Sequence, residues 1–234
     1  MRYLIADTET TGLSFLNGDR VIEVALVEYV DGKPTGKSFY SLINPERAIP
    51  ADATQIHGIK DDHVKDQPLF SAVAAEFVEY IRGARIIAHN APFDVGMLNN
   101  ELELAGRQER IEDLVVETID SLRIARGIYP KAKNDLDSLL TRLNVDSSAR
   151  SEGHNARVDC ALLGEVFFKM TDGVDLSLMN LSQVPPRRAI EQVQRPAELA
   201  RVQVPAAEMA AHEAVLDGME ASGSAPVARR AKMG

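Results

Sequence analysis

The stretch Tyr3-Leu4-Ile5-Ala6-Asp7-Thr8-Glu9-Thr10-Thr11-Gly12 begins with an apolar run and ends in two carboxylates two residues apart. Successive side chains on a β-strand point to opposite faces, so Asp7 and Glu9 share one face. Neighbouring anions repel each other, and a divalent cation between them is the simplest explanation for such a pair. The alternative is a solvated strand end that turns at Gly12. The stretch therefore predicts a strand with a candidate metal site at its end.

Two later segments add carboxylates at the ends of predicted elements. In residues 89–94 (His-Asn-Ala-Pro-Phe-Asp), Pro92 fits the first turn of a helix capped by Asn90, which places Asp94 just past a strand end. In residues 154–159 (His-Asn-Ala-Arg-Val-Asp), Asp159 leads into an apolar helical series. Each helical residue turns by about 100°, so the histidine is expected in the loop before that helix. The combined set is Asp7, Glu9, Asp94, Asp159 and His154.

These three segments, in their order and spacing, resemble the motifs of the DEDD superfamily of 3′ to 5′ exonucleases, in the subgroup with a histidine in the third motif. The similarity runs from residue 2 to about residue 172 and includes segments 56–59, 118–126 and 134–139. Within the superfamily the chain is most similar to the proofreading subunits of bacterial replicative DNA polymerases. The resemblance implies an enzyme that removes mispaired 3′-terminal nucleotides from DNA as 5′-mononucleotides.

The resemblance also implies roles for the five residues. Two divalent ions, Mg²⁺ or Mn²⁺, would be held by Asp7, Glu9, Asp94 and Asp159, with Asp7 as the bridging ligand. His154 would act as the general base, since the unperturbed pKa of histidine is about 6.5. A surface histidine in a polar loop is the ordinary alternative for that residue.

Substrate contacts are expected around the same motifs. Backbone N–H groups after Glu9 would approach the terminal nucleotide, and Leu13 would wedge between the last two bases by analogy with the family. Phe93 is a stacking platform for an unpaired base or a core residue. His57 and His89 match family positions near the site, and a hydrogen-bonded structural role is equally open for each. The expected substrate-binding residues are Thr10, Thr11, Gly12, Leu13, His57, His89 and Phe93.

Composition limits how the chain binds nucleic acid. The chain of 234 residues has a net charge of −9, and residues 1–179 hold 19 Lys and Arg against 29 Asp and Glu. Affinity for a polyanion grows with the number of phosphates that basic groups neutralise, so this part should hold DNA weakly by itself. A single cysteine excludes a disulfide framework, and no apolar stretch approaches the roughly 20 residues of a membrane-spanning helix. We expect a cytoplasmic protein without a membrane partner.

Hydrophobic periodicity predicts a mixed sheet flanked by helices. The order of elements implies a three-layer α/β/α domain, which resembles the ribonuclease H-like fold of the family. The short links among the first three strands favour antiparallel neighbours. The predicted strands are 2–7, 21–30, 37–43, 85–88 and 115–119, and the predicted helices are 70–82, 92–105, 120–128, 135–143 and 155–171.

Residues 180–234 differ from the exonuclease domain of residues 1–179. Pro185-Pro186 and several Gln indicate a flexible linker, and residues 206–221 have helical periodicity. A helix this short with nothing to pack on is marginal in water, so it is expected to fold on a partner. The family resemblance identifies that partner as the catalytic subunit of the polymerase; chance periodicity in a disordered tail is the alternative. The expected contact residues are Val202, Val204, Met209, His212 and Leu216.

The segment Asp175-Leu176-Ser177-Leu178-Met179 resembles the pentapeptide that binds the bacterial sliding clamp. Asp175 replaces the usual Gln and Met179 the usual Phe, so any clamp binding through Leu176, Leu178 and Met179 should be weak. The alternative is an apolar end of the catalytic domain.

Two other functions share part of this evidence. A free-standing exonuclease that trims RNA or single strands would need the same catalytic set but no partner-binding tail. A structural bridge between polymerase and clamp would need only the tail and the linker. The intact five-residue set argues against a bridge as the sole role.

Overall fold

The computed structural model describes residues 1–148 and 155–172. These residues form one five-stranded sheet with the order β3-β2-β1-β4-β5. The central strand β1 pairs antiparallel with β2 and parallel with β4, which confirms the predicted mixed sheet. The strands are β1 (Arg2–Thr10), β2 (Val21–Val30), β3 (Lys33–Leu42), β4 (Arg85–Ala88) and β5 (Glu117–Asp120).

Helices cover both faces of this sheet. Every helix predicted within the described residues is present, with ends that agree to within one or two residues. Three short helices, at residues 51–57, 61–64 and 111–114, were not predicted, and the last two are single turns that cannot establish a helical period. The helices are α1 (Ala51–His57), α2 (Asp61–Val64), α3 (Phe70–Ile81), α4 (Ala91–Leu104), α5 (Ile111–Leu114), α6 (Ser121–Ile128), α7 (Leu136–Arg142) and α8 (Ala156–Thr171).

The alternation of β1 side chains divides the interior into two cores. Leu4 and Ala6 pack with residues of α3, α4 and α5 on one face. Ile5 packs with residues of α6, α7 and α8 on the other face. The predicted three-layer α/β/α arrangement is thereby confirmed. Among the described residues, no helix combines the length and hydropathy that crossing a bilayer requires.

Two strands are longer than predicted, and one of the extensions carries the site. The predicted first strand ended at residue 7, whereas β1 continues to Thr10 because its polar end pairs with β2, with Glu9 opposite Glu23. The predicted third strand began at residue 37, whereas β3 begins at Lys33. Asp31 and Gly32, with φ angles of 49° and 76°, form the two-residue turn that pairs Lys33 with Val30.

Candidate active site

Three carboxylates converge at the end of β1. Asp7 and Glu9 lie on the face of the sheet that α8 covers, and Asp159 lies in the first turn of α8. One oxygen of each lies within 4.8 Å of the others. The strand period predicted that Asp7 and Glu9 share a face, and the family resemblance implied that Asp159 lies with them.

Asp94 reaches the same strand from the opposite face. It lies in the first turn of α4, is 5% exposed, and accepts a hydrogen bond of 2.8 Å from the Thr8 hydroxyl. Burial raises the pKa of Asp94 to about 7. The predicted cap position of Asn90 is correct, but its side chain makes no capping hydrogen bond, since the residue adopts a left-handed conformation with φ 76°. Asp94 is therefore bonded to Thr8, the residue between Asp7 and Glu9, and is not one of the three carboxylates that lie within 4.8 Å of one another.

The electrostatics of the cluster fit a cation. Burial raises the pKa of Asp7 well above its usual range, and the charges of Asp94, Glu9, Asp159 and Glu23 raise it further. An all-oxygen donor set of this kind suits hard divalent ions. The residues present therefore fit a divalent metal centre.

Glu23 is a buried acid that the sequence analysis missed. It lies on β2 opposite Glu9, is 1% exposed, and accepts a 2.6 Å hydrogen bond from the Tyr40 hydroxyl. It also accepts bonds from the Asn155 amide at 3.1 Å and the Ala156 N–H at 2.9 Å. Glu23 thus anchors the first residues of the helix that carries Asp159. The sequence does contain a signal for this role, because Glu23 is a charged residue inside the apolar run of β2. A charged side chain at a buried position needs hydrogen-bond partners.

Several groups in the loop after β1 already have hydrogen-bond partners. The Thr11 N–H donates to Arg20 O at 2.9 Å, a bond that it would have to give up to contact a nucleotide. The Thr10 hydroxyl donates to Gly12 O at 2.7 Å. A side chain at Gly12 would collide with the carboxylate of Asp19. Leu13, three residues after the end of β1, is 87% exposed.

The two predicted histidines make structural hydrogen bonds, and Phe93 is partly core. His57 ends α1, and its Nδ1 accepts from the Ile59 N–H at 3.0 Å. His89 Nδ1 is 2.9 Å from Ser121 Oγ, and His89 Nε2 is 2.8 Å from the backbone oxygen of Asn134. Burial lowers the pKa of His89, which favours the neutral ring. Phe93 is partly buried against the core of α3 and α4.

The remaining predicted residues lie outside the described part of the chain. They are His154, the segment 175–179 with Leu176, Leu178 and Met179, and the tail residues Val202, Val204, Met209, His212 and Leu216, together with the predicted helix 206–221.

Comparisons with known proteins identify the family of this chain. The family model RNase_T, described as Exonuclease, matches residues 4–167. Exonuclease X in complex with 5′ overhanging duplex DNA shares the fold, with a TM-score of 0.54 and 24% identity over 74% of this chain and 92% of that one. Exonuclease I of E. coli in complex with a dA16 oligonucleotide has a TM-score of 0.62 and 18% identity over 76% of this chain and 42% of that one. Fold and sequence define a member of this exonuclease family, for which divalent metal ions are implied.

Curated relatives narrow the assignment. The DNA polymerase III subunit epsilon of Rickettsia felis is 44% identical over 173 residues, which are 74% of this chain and 75% of that protein. The subunit of the same name from Escherichia coli (strain K12) is 36% identical over 231 residues, which are 95% of each chain. The chain belongs to the family of DNA polymerase III epsilon subunits and is a 3′–5′ exonuclease with the proofreading role of that family.

Proposed function

We propose that this chain binds the frayed or single-stranded 3′ end of DNA in the cytoplasm and hydrolyses the last phosphodiester bond. The product is a 5′-mononucleotide. The observation that carries the proposal is the convergence of Asp7, Glu9 and Asp159 within 4.8 Å at the end of β1, in an exonuclease fold.

The roles of the acids follow from their positions. Mg²⁺ or Mn²⁺, bound as a pair by Asp7, Glu9, Asp94 and Asp159, would activate the attacking water and stabilise the leaving 3′ oxygen. Asp7 is the proposed bridging ligand, because it shares β1 with Glu9 and its pKa responds to both Asp94 and Asp159. The Thr8 hydroxyl fixes one oxygen of Asp94.

His154 is the proposed general base for the attacking water. It directly precedes Asn155, whose side-chain amide donates to Glu23 and whose Oδ1 accepts from the Val158 N–H at 3.2 Å. The residue after His154 is therefore held by both β2 and α8. An unperturbed pKa of about 6.5 lets a histidine accept a proton at neutral pH.

The polarity and substrate of the reaction can be tested together. A 5′-labelled DNA strand should shorten stepwise from its 3′ end in Mg²⁺, faster when the terminal base pair is mismatched, and release 5′-mononucleotides. The same sequence made of RNA tests the trimming alternative. Internal cleavage, release from the 5′ end, or a clear preference for RNA would overturn the proposal.

The second part of the proposal concerns residues 180–234, which we assign to binding the catalytic (alpha) subunit of DNA polymerase III. Similarity to the Escherichia coli relative spans 95% of this chain and therefore extends into the tail. Leu216→Asp in the full chain should abolish co-purification with the polymerase and leave single-strand hydrolysis unchanged, as should removal of residues 180–234. Leu104→Asp is the matched control, since Leu104 is an exposed leucine of the nuclease domain. Polymerase binding that survives Leu216→Asp and the truncation would place the interface elsewhere.

The segment 175–179 is the proposed weak clamp-binding site. Asp175→Gln together with Met179→Phe would restore the usual pentapeptide and should tighten binding to the sliding clamp. Replacement of Leu178 by Asp should remove whatever binding the native segment has. Equal clamp affinity in all three proteins would show that the segment does not bind the clamp.

A further inference from the structure

The last turn of α6 and the connection from α6 to α7 carry two cations, Arg126 and Lys133, outside the ion pairs of the described residues. Many basic side chains of the domain are paired, as in Arg20–Glu101 and Arg85–Glu117. Arg126 and Lys133, by contrast, form no ion pair with any described residue, and both are exposed. An unpaired cation in an acidic protein is available to a negatively charged ligand.

These two cations line one pocket of about 600 Å³, together with His89, Asn134 and Asp135. The carboxylate in this lining is Asp135, which accepts hydrogen bonds of 2.9 Å from both the N–H and the hydroxyl of Ser138 at the start of α7. The nearby Asp120 is also engaged, since it accepts from the Leu122 and Asn90 N–H groups at 3.1 Å. The bonds from Ser138 and the charge of Lys133 lower the pKa of Asp135, which therefore stays ionised. The lining thus holds two cations, Arg126 and Lys133, and one anion, Asp135, and its net charge is positive.

The pocket lies beside the carboxylate cluster. His89 directly follows β4, whose neighbour in the sheet is β1, and Leu122 follows β5, the next strand outward. Neighbouring strands are about 4.8 Å apart, so the pocket begins within roughly 5 to 10 Å of the end of β1. If the terminal phosphodiester of a DNA strand lies at Asp7, the next phosphate on its 5′ side can reach this pocket.

We propose that the pocket bounded by Arg126 and Lys133 binds an internucleotide phosphate of the DNA strand, on the 5′ side of the bond that is cleaved. The proposal rests on the function proposed above. Guanidinium groups bind phosphate oxygens in a bidentate manner, and lysine adds a point charge. The His89 ring, which lines this pocket, is held in place by Ser121 and Asn134. Such a contact would give the acidic domain a local hold on a polyanion.

The test compares substrates with and without upstream phosphates. The full-length double variant Arg126→Gln/Lys133→Gln is assayed on the p-nitrophenyl ester of thymidine 5′-monophosphate and on thymidine oligonucleotides of two to ten nucleotides. Turnover of the ester should match the wild type, while KM for the longer oligonucleotides rises roughly tenfold or more. The logarithmic salt dependence of kcat/KM on oligonucleotides should fall by about 0.7 for each phosphate that the variant no longer neutralises.

The matched control is Lys33→Gln/Lys37→Gln, two exposed lysines on β3 at the opposite edge of the sheet. An unchanged oligonucleotide KM in the Arg126/Lys133 variant would overturn the proposal, and so would an equal rise in the control. Loss of ester turnover in parallel with oligonucleotide turnover would also overturn it, since the pocket would then serve the catalytic centre itself. Failure of the wild type to hydrolyse either substrate would instead contradict the proposed function.

Discussion

Replacing Glu23 by Gln tests how the start of α8 is positioned. The carboxylate accepts three hydrogen bonds, from Tyr40, Asn155 and Ala156, and is 1% exposed. A glutamine has one amide oxygen, so at least one of these donors would face the amide NH₂ instead. The variant keeps the shape of the side chain and removes its charge.

The size of the effect follows from those contacts. A hydrogen bond to a charged group contributes about 1.5–3 kcal/mol, and a buried donor without a partner costs about 1–3 kcal/mol. Loss of one anion beside Glu9 and Asp7 offsets part of this. We expect Glu23→Gln to lower the free energy of unfolding by about 1–2 kcal/mol and Tm by about 2–8 °C. Displacement of Asp159 by even about 1 Å should lower kcat by up to about 10²-fold.

Thermal unfolding and single-strand hydrolysis in Mg²⁺ measure the two effects on the same protein. Glu28→Gln is the control, because Glu28 is a buried acid of the same strand that pairs with Arg2 instead. The control should lose stability and keep its kcat. Wild-type kcat in Glu23→Gln, or an equal loss of kcat in Glu28→Gln, would refute the positioning role.

Three further predictions concern the site. His154→Ala should lower kcat by roughly 10²–10⁴-fold and leave metal affinity unchanged. The control His63→Ala, at an exposed histidine, should change neither quantity. A loss of metal affinity equal to that of Asp7→Ala would make His154 a metal ligand. Asp7 and Asp94 have folded-state pKa values raised above their unfolded values, so the folded protein binds more protons, and the urea-unfolding free energy in EDTA should fall as pH rises from about 4 to 7. Saturating Mg²⁺ should flatten that fall, and a rise with pH in EDTA would contradict the assignment. Thr8→Val removes the donor to Asp94 and should weaken Mg²⁺ binding several-fold in titration calorimetry, while an unchanged affinity would make the bond incidental.

The longer helices and strands could be predicted from the local pattern of apolar residues. The repeat of Phe70, Phe77 and Ile81 is enough to locate α3, because one buried stripe fixes both the period and the length. The polar end of β1 could not be predicted, since residues after Asp7 remain in the sheet only because β2 pairs with them. The four-residue helices α2 and α5 carry too little periodicity to be detected.

The carboxylates were predictable because each one lies at the end of an element with a clear pattern. Their supporting contacts were not, because these join distant parts of the chain. Thr8 and Asp94 are 86 residues apart, and Glu23 and Ala156 are 133 residues apart. The number of charged residues in the sequence is limited in the same way, because it does not show which cations form ion pairs in the folded chain.

The central claim is that the carboxylate cluster performs metal-dependent hydrolysis from the 3′ end. The most direct measurement is the digestion of a 5′-labelled single strand in Mg²⁺ by the wild type, Asp7→Ala and the control Asp66→Ala, an exposed acid just after α2. We predict stepwise shortening by the wild type and Asp66→Ala and none by Asp7→Ala. The Tm of Asp7→Ala in EDTA should equal or exceed that of the wild type, because the repulsion among the remaining acids is reduced. Digestion by Asp7→Ala at the wild-type rate would contradict the account.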